Sequence, residues 1–295
     1  MEPSITTVAL LTDALAHRSL GEVESWCAER GIGALEIGVG GYSAAPHVHD
    51  LPGELEVVAL NASGNPLHPD PVVAAQHDAA LRTALELAAD HGIPRVVAMS
   101  GCPGAGRWPI FAGGAWLPDM EGLWDEQWPQ IARYWEQLSS WAPGGVDICL
   151  ELHPGTSIYN AASFARLADV VGDNVKVNLD PSHFWWQGID PVATVGALAG
   201  RIGFVHGKDT LIHPDRVALH GVLDFRWPGD DMPWHFAAVG RGRGIEEWRA
   251  LFSALAEAGY AGPVSIEHED PDLEAEAGIE ASLDGLRAAL EGAHV

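Results

Sequence analysis

Four apolar stretches of this chain each run into a side chain that can bind a metal: ICLELHP at Glu151, VKVNLDPSH at Asp180, IGFVHGKD at His206 and PVSIEHED at Glu267. A β-strand sends successive side chains to opposite faces, so a polar group at the C-terminal tip of a buried apolar run is aimed at a definite place. Three carboxylates and an imidazole brought to one point would make a hard, oxygen-rich site with a single nitrogen. Such a set suits Mn2+, Mg2+, Co2+ or Zn2+ and is unsuited to soft-metal clusters. The chemistry within reach is that of a divalent-metal enzyme.

Alternation also decides which neighbours share the site. Asp147, Cys149, Glu151 and His153 fall on one face of their strand, while Ile148, Leu150 and Leu152 fall on the other and pack under helices. The same parity groups Lys176, Asn178 and Asp180, pairs His206 with Lys208, and pairs Glu267 with Glu269. His153, Glu151, Glu267 and Lys208 are therefore the candidates for proton transfer, Lys208 as an electrostatic or general-acid group. An ion pair of Lys208 with Asp209 or another barrel carboxylate is an equal reading.

The elements that must carry these residues are legible as eight strand-like runs, at about 5–11, 34–38, 55–61, 95–100, 146–152, 174–180, 202–206 and 263–267. Most are short, β-branched and bounded by Gly, Pro or Asn, as buried parallel strands are. Helical patterns lie between them, such as LGEVESWCAER, VVAAQHDAALRTALELAADHG and IEEWRALFSALAEAGY. Strand alternating with helix in this way predicts an α/β fold, a (β/α)8 TIM barrel forming one domain over residues 1–295. In that architecture functional groups gather where these ligands lie, at the C-terminal ends of the strands. Only the second crossover, around 42–54, is too rich in Pro and His for a helix.

Two long connections, about 101–125 and 210–244, fit active-site loops. The second is expected to lack a helix and to cover the barrel mouth. Trp108, Arg226 and Trp227 in these loops, with Trp185 and Trp186 just past Asp180, could offer flat apolar faces and hydrogen bonds to a sugar. Trp26, Trp128, Trp135, Trp141 and Trp248 lie at helical positions and read as packing. Asn61 ends a strand in the LNASGN turn and either reaches a substrate hydroxyl or closes an Asx turn. His47, His49 and His68 read as loop histidines, and His77 and His91 as surface groups.

Composition excludes some partners. A net charge of −25 and only two lysines, Lys176 and Lys208, argue against nucleic acid, whose phosphates are bound by clustered Lys and Arg. Cys27, Cys102 and Cys149 are widely spaced and form neither a CxxC pair nor a disulfide framework, which fits a reducing cytosol. No apolar run approaches the roughly 18 to 20 residues of a membrane span, and the N-terminus has no basic leader, so a cytoplasmic protein is expected.

With these residues in place, the chain resembles the xylose isomerase-like TIM-barrel superfamily, in the branch of sugar phosphate isomerases and epimerases. The resemblance runs from the LEIG strand and the LNASGN turn through LELHPG, NLDPSH and VHGKD to SIEHED. It implies one divalent ion, of the Mn2+ type, on Glu151, Asp180, His206 and Glu267, with His183 beside it as a substrate or metal-shell group. The chain departs from the ketose 3-epimerases, which carry a Glu and an Arg where Ser157 and Ile212 stand here, and this argues against a free-ketohexose 3-epimerase. His153 resembles the base of relatives that eliminate an aglycone or water from 3-keto sugars, among them the catalytic subunits of C-glycoside deglycosidases.

The expected activity is keto-sugar isomerisation or epimerisation: a base removes the proton beside a carbonyl, and a metal offsets the charge of the resulting enediolate. The alternative is a lyase acting by β-elimination on a 3-keto glycoside, or by dehydration of an inosose. Behind these stand an apurinic endonuclease, opposed by the acidity of the chain, and a non-catalytic sugar-binding subunit. The expected partners are a small keto sugar or cyclitol and, at the protein level, a second copy or a small partner subunit.

Overall fold

In this computed structural model, residues 5, 7–51, 53–104, 123–224, 231–291 and 293 are described. Eight parallel strands close into a barrel in the order β1-β10-β7-β6-β5-β4-β3-β2. They are β1 (Val8–Leu11), β2 (Ala34–Gly38), β3 (Glu56–Asn61), β4 (Arg95–Met99), β5 (Asp147–Glu151), β6 (Val175–Leu179), β7 (Ile202–Gly207) and β10 (Val264–Ile266). All eight runs predicted from sequence are thus strands of the barrel. Six are a little shorter than their predicted runs, while β2 matches its run and β7 extends one residue past it, a spread of the size expected at strand ends.

The chain divides into two compact units: residues 1–35, 54–56 and 179–295, and residues 36–53 and 57–178. In the first, β1, β10 and β7 pair in parallel, with Val264 opposite both Val8 and Val205. Helices α8 (Ile245–Glu257) and α9 (Ala275–Leu290) supply buried Trp248, Phe252, Leu255, Ile279 and Leu286 to its interior. Helix α9 comes so close to the chain around Val239 that a Cβ on Gly285 would lie 2.2 Å from the Val239 carbonyl oxygen. Helix α9 has no counterpart among the helical patterns read above, although its buried Ile279, Leu283, Leu286 and Ala289 recur at helical spacing and were an available signal.

In the second unit, β4 pairs with β5 and β5 with β6, in a register that sets Met99 opposite Glu151 and Glu151 opposite Asn178. Helix α2 (Pro71–His91) starts where the Asp70 carboxylate accepts the Val72 N–H, and ends at Gly92 in the left-handed conformation. Helix α3 (Leu123–Trp141) buries Ile131, Trp135 and Leu138. The crossover after β2 contains only a 3-10 turn at Val48–Asp50, as its composition predicts.

The 210–244 connection departs from expectation. It is not helix-free: β8 (Asp209–Ile212) pairs antiparallel with β9 (Trp234–Ala237), and helix α7 (Pro214–His220) lies between them. The sequence signal was hidden because α7 buries none of its residues, so it has no apolar periodicity to read. Pro214 at its first position and Gly221 after its end are the marks that could have revealed it.

Candidate functional site

In the first unit the tips of β6, β7 and β10 deliver a dense set of charges. Asp180 follows β6 directly, and its Oδ1 accepts the N–H of Ser182 at 2.9 Å, an Asx turn that starts the short helix α5 (Ser182–Trp185). One turn of α5 carries His183 back over the same residue, with Nε2 3.3 Å from Asp180 Oδ2. His206 and Lys208 leave β7 on one face, and His206 Nδ1 lies 2.9 Å from Glu267 Oε2.

Lys208 is the hub. Its ammonium lies 3.0 Å from Asp180 Oδ2, 2.7 Å from Glu267 Oε2 and 2.9 Å from Glu269 Oε2. Its partners thus include three carboxylates at the barrel's strand tips. Burial alone would raise the Glu267 carboxyl, but the charge on Lys208 and the His206 imidazole outweigh it and hold the group well below its ordinary range. His183 shifts the other way: burial lowers it to about 4, so its ring is neutral at neutral pH.

Asp209 has a structural task. Fully buried, it accepts the N–H groups of Thr210, Gly240, Gly242 and Arg243 and the indole N–H of Trp248. Burial pushes its carboxyl up to about 6, against the pull of these donors. The Gly240–Gly244 loop is thereby tied to the foot of the hairpin, where a Cβ on Gly242 would meet the Thr210 carbonyl oxygen at 2.2 Å. On β9, Phe236 stands opposite Thr210 and turns its ring to His183, at 5.3 Å edge-on, and to the Lys208 ammonium, 4.6 Å from the ring centre. Sequence reasoning missed Phe236, because the hairpin that carries it has no signature in the linear pattern.

Trp185 and Trp186 are both buried. Trp185 meets Trp248 edge-on at 5.2 Å, and Trp186 stacks on Trp234 at 4.4 Å with the rings 7° from parallel. Trp108, Arg226 and Trp227 lie outside the described residues.

The second unit carries its own polar network. Asn61 donates from Nδ2 to Glu36 Oε1 at 2.8 Å and accepts the Ser63 N–H at 3.0 Å, so the Asx turn forms at this position. Glu36 is wholly buried and was not singled out from the sequence; its place inside the apolar run ALEIG was the available signal. His47 is buried rather than exposed, and His77 is half-buried and accepts the Asn65 N–H at 2.7 Å, so neither is a free surface group.

Glu151 is buried and His153 half-buried at the end of β5. Within the first unit, donor atoms of Asp180, His206 and Glu267 lie within 4.8 Å of one another. Two carboxylates and one imidazole make a donor set that fits a hard divalent ion. A second group of the same unit, His235, Asp270 and Asp272, has similar spacing. There Asp270 is already saturated by the N–H groups of Ala238 and Asp272 and by the Arg241 guanidinium, so the cluster reads as a loop anchor.

Strand order and strand-tip chemistry together define a parallel β/α-barrel protein with an acidic, histidine-containing cluster at the C-terminal ends of its strands. The chain belongs to the xylose isomerase-like TIM-barrel family, whose model matches residues 45–289. It is 33% identical to the uncharacterized protein YfiH of Bacillus subtilis over 311 residues, covering 96% of this chain and 99% of that protein. It is 31% identical over 165 residues to the inosose dehydratase of Serratia proteamaculans, a match that spans about half of each chain, 50% and 50%. Among solved structures, an IolI protein with a bound zinc atom superposes with a TM-score of 0.67 at 18% identity, over 98% of this chain and 100% of that one. The last likeness is one of fold. Among the described residues, no helix is long and apolar enough to cross a membrane.

Proposed function

We propose that this protein is a divalent-metal-dependent enzyme that removes the proton beside the carbonyl of a keto sugar or keto-cyclitol, and that the reaction is completed by loss of a β-hydroxyl as water. The single observation that carries the reading is the donor set of Asp180, His206 and Glu267, drawn within 4.8 Å, to which Glu151 at the tip of β5 is the proposed fourth ligand. Held there, a divalent ion would supply Lewis-acid polarisation of a substrate carbonyl and offset the charge that proton removal creates. Mn2+ is the expected ion, with Mg2+, Co2+ and Zn2+ as competitors for the same donors.

The remaining steps belong to side chains. His153, half-buried just past the end of β5, is the proposed base. Lys208, a buried ammonium, is suited to donate a proton to a departing hydroxyl. His183, held neutral, can donate a hydrogen bond without adding charge, and Phe236 closes one side against water. Trp108, Trp185, Trp186, Arg226, Trp227 and Asn61 remain proposed contacts for the substrate's ring and hydroxyls. The partial likeness to inosose dehydratase, together with the buried general acid, favours elimination over isomerisation or epimerisation.

The test is incubation of the Mn2+-loaded protein in D2O with inososes, keto sugars and 3-keto glucosides, followed by NMR. The expected result is exchange of the proton beside the carbonyl and formation of a dehydrated product from an inosose. Exchange with a new epimer or isomer and no water loss would replace the second half-reaction with the isomerase reading. Metal binding without exchange in any substrate would leave a binding protein.

A further inference from the structure

Three carboxylates hold the Lys208 ammonium, and two of them, Asp180 and Glu267, also belong to the proposed metal ligands, grouped with His206. The third, Glu269, does not. The oxygens in question are few: Asp180 Oδ2 and Glu267 Oε2 face the ammonium at 3.0 and 2.7 Å, and Glu267 Oε2 also faces His206 Nδ1 at 2.9 Å. A divalent ion drawing on the same two carboxylates would lie within a few ångströms of a buried positive charge, in a setting where water screens poorly. Cation and ammonium therefore compete for one set of acceptors. Glu269 differs from the other two in exposure as well as role, its side chain being 44% exposed while those of Asp180 and Glu267 are 0% and 16%.

We propose that Glu269 is a positioning residue that draws the Lys208 ammonium off Asp180 and Glu267 when a divalent ion enters. The inference rests on the metal reading of the site given above. Glu269 reaches the site because it follows Glu267 on the same face of the chain leaving β10, and it already accepts from Lys208 at 2.9 Å. The lysine stem can pivot about that contact. The shift leaves the two ligand carboxylates to the ion and holds the ammonium beside Phe236 as a proton donor. Phe236, 4.6 Å from the ammonium, offers a ring face that stabilises the cation without supplying an oxygen for which the ion would compete.

The experiment measures Mn2+ affinity of the full chain by calorimetry and by the EPR signal of free Mn2+. It uses the wild type, Glu269→Gln, Glu269→Asp, Lys208→Met and the double variant Lys208→Met with Glu269→Gln, each checked for fold by circular dichroism. Glu269→Gln is expected to weaken Mn2+ binding about tenfold, the worth of one charge-assisted hydrogen bond. Glu269→Asp, which keeps the charge but withdraws the oxygen, is expected to weaken it too. In the Lys208→Met background, where the competitor is gone, Glu269→Gln is expected to have little effect. Wild-type affinity in Glu269→Asp, or an equal loss in both backgrounds, would mean that Glu269 acts only through its charge and would overturn the proposal. If Lys208→Met does not fold, the Asp variant decides alone. Absence of Mn2+, Zn2+, Mg2+ and Co2+ binding by the wild type itself would instead overturn the metal reading, and this inference with it.

Discussion

The strand tips of the two units are built on opposite principles. In the unit that holds residues 57–178, apart from Glu36 on β2, Glu151 at the tip of β5 and His153 just past it, polar groups near the C-terminal strand ends are uncharged and largely closed on one another. Asn65 Oδ1 accepts the N–H groups of Leu67 and Cys102, and its Nδ2 donates to the Cys102 carbonyl. Ser100 accepts the Ile158 N–H at Oγ and the Trp135 indole N–H at its carbonyl. In the unit that holds residues 179–295, the tips carry acidic and basic side chains: Asp180, Glu267 and Glu269 crowd one ammonium and two imidazoles. A closed neutral network fixes loops and asks nothing further, whereas buried carboxylates in excess over their cations are costly unless a ligand completes them. Charge left unbalanced at a strand tip is the mark of function here, and polarity alone is not.

The sharpest way to break this comparison is to remove a ligand from the acidic cluster. Asp180→Ala should abolish turnover on any substrate found active, while circular dichroism shows an intact barrel, because the residue lies beyond the packed layers of β6. Full activity in that variant would end the case for the cluster. A smaller loss is expected from His153→Ala, with kcat lowered by about 10² to 10⁴ and metal content unchanged. Were metal lost as well, His153 would have to be reassigned to holding the site together.

The neutral network predicts the reverse pattern. Asn65→Ala leaves two buried N–H groups without an acceptor and should cost about 1 to 3 kcal/mol of stability in urea unfolding. It should leave Mn2+ affinity as it was, and a matching loss of affinity would show that the two regions do not divide the work. The smallest effect concerns pH in the metal-free protein. His183 is held near 4 in the folded state against an ordinary 6.5, so between those values the unfolded chain binds more protons. Its contribution to stability is therefore complete above about 6.5 and lost as pH falls towards 4. His183→Asn should flatten the fall in melting temperature across that window, and an unchanged slope would assign the acid sensitivity elsewhere.

The eight strands and the barrel they form were legible in the sequence, and so was the placing of Glu151, Asp180, His206 and Glu267 at or just past strand tips. The reason is that strand alternation is local: the side chain two residues along returns to the same face, so an apolar run and its polar tip carry their own geometry. His183 was placed near Asp180 only by the family resemblance; the turn of α5 that sets its Nε2 3.3 Å from Asp180 Oδ2 is a separate, helical device. The partners of Lys208 could not be read in this way, since Glu267 and Glu269 lie 59 and 61 positions away and nothing in the VHGKD segment distinguishes them from its neighbour Asp209. Phe236 over His183, the burial of His47 and the Asp209 anchor likewise depend on which distant segments pack together. Covalent adjacency fixed which groups point the same way, and long-range packing alone decided which of them meet.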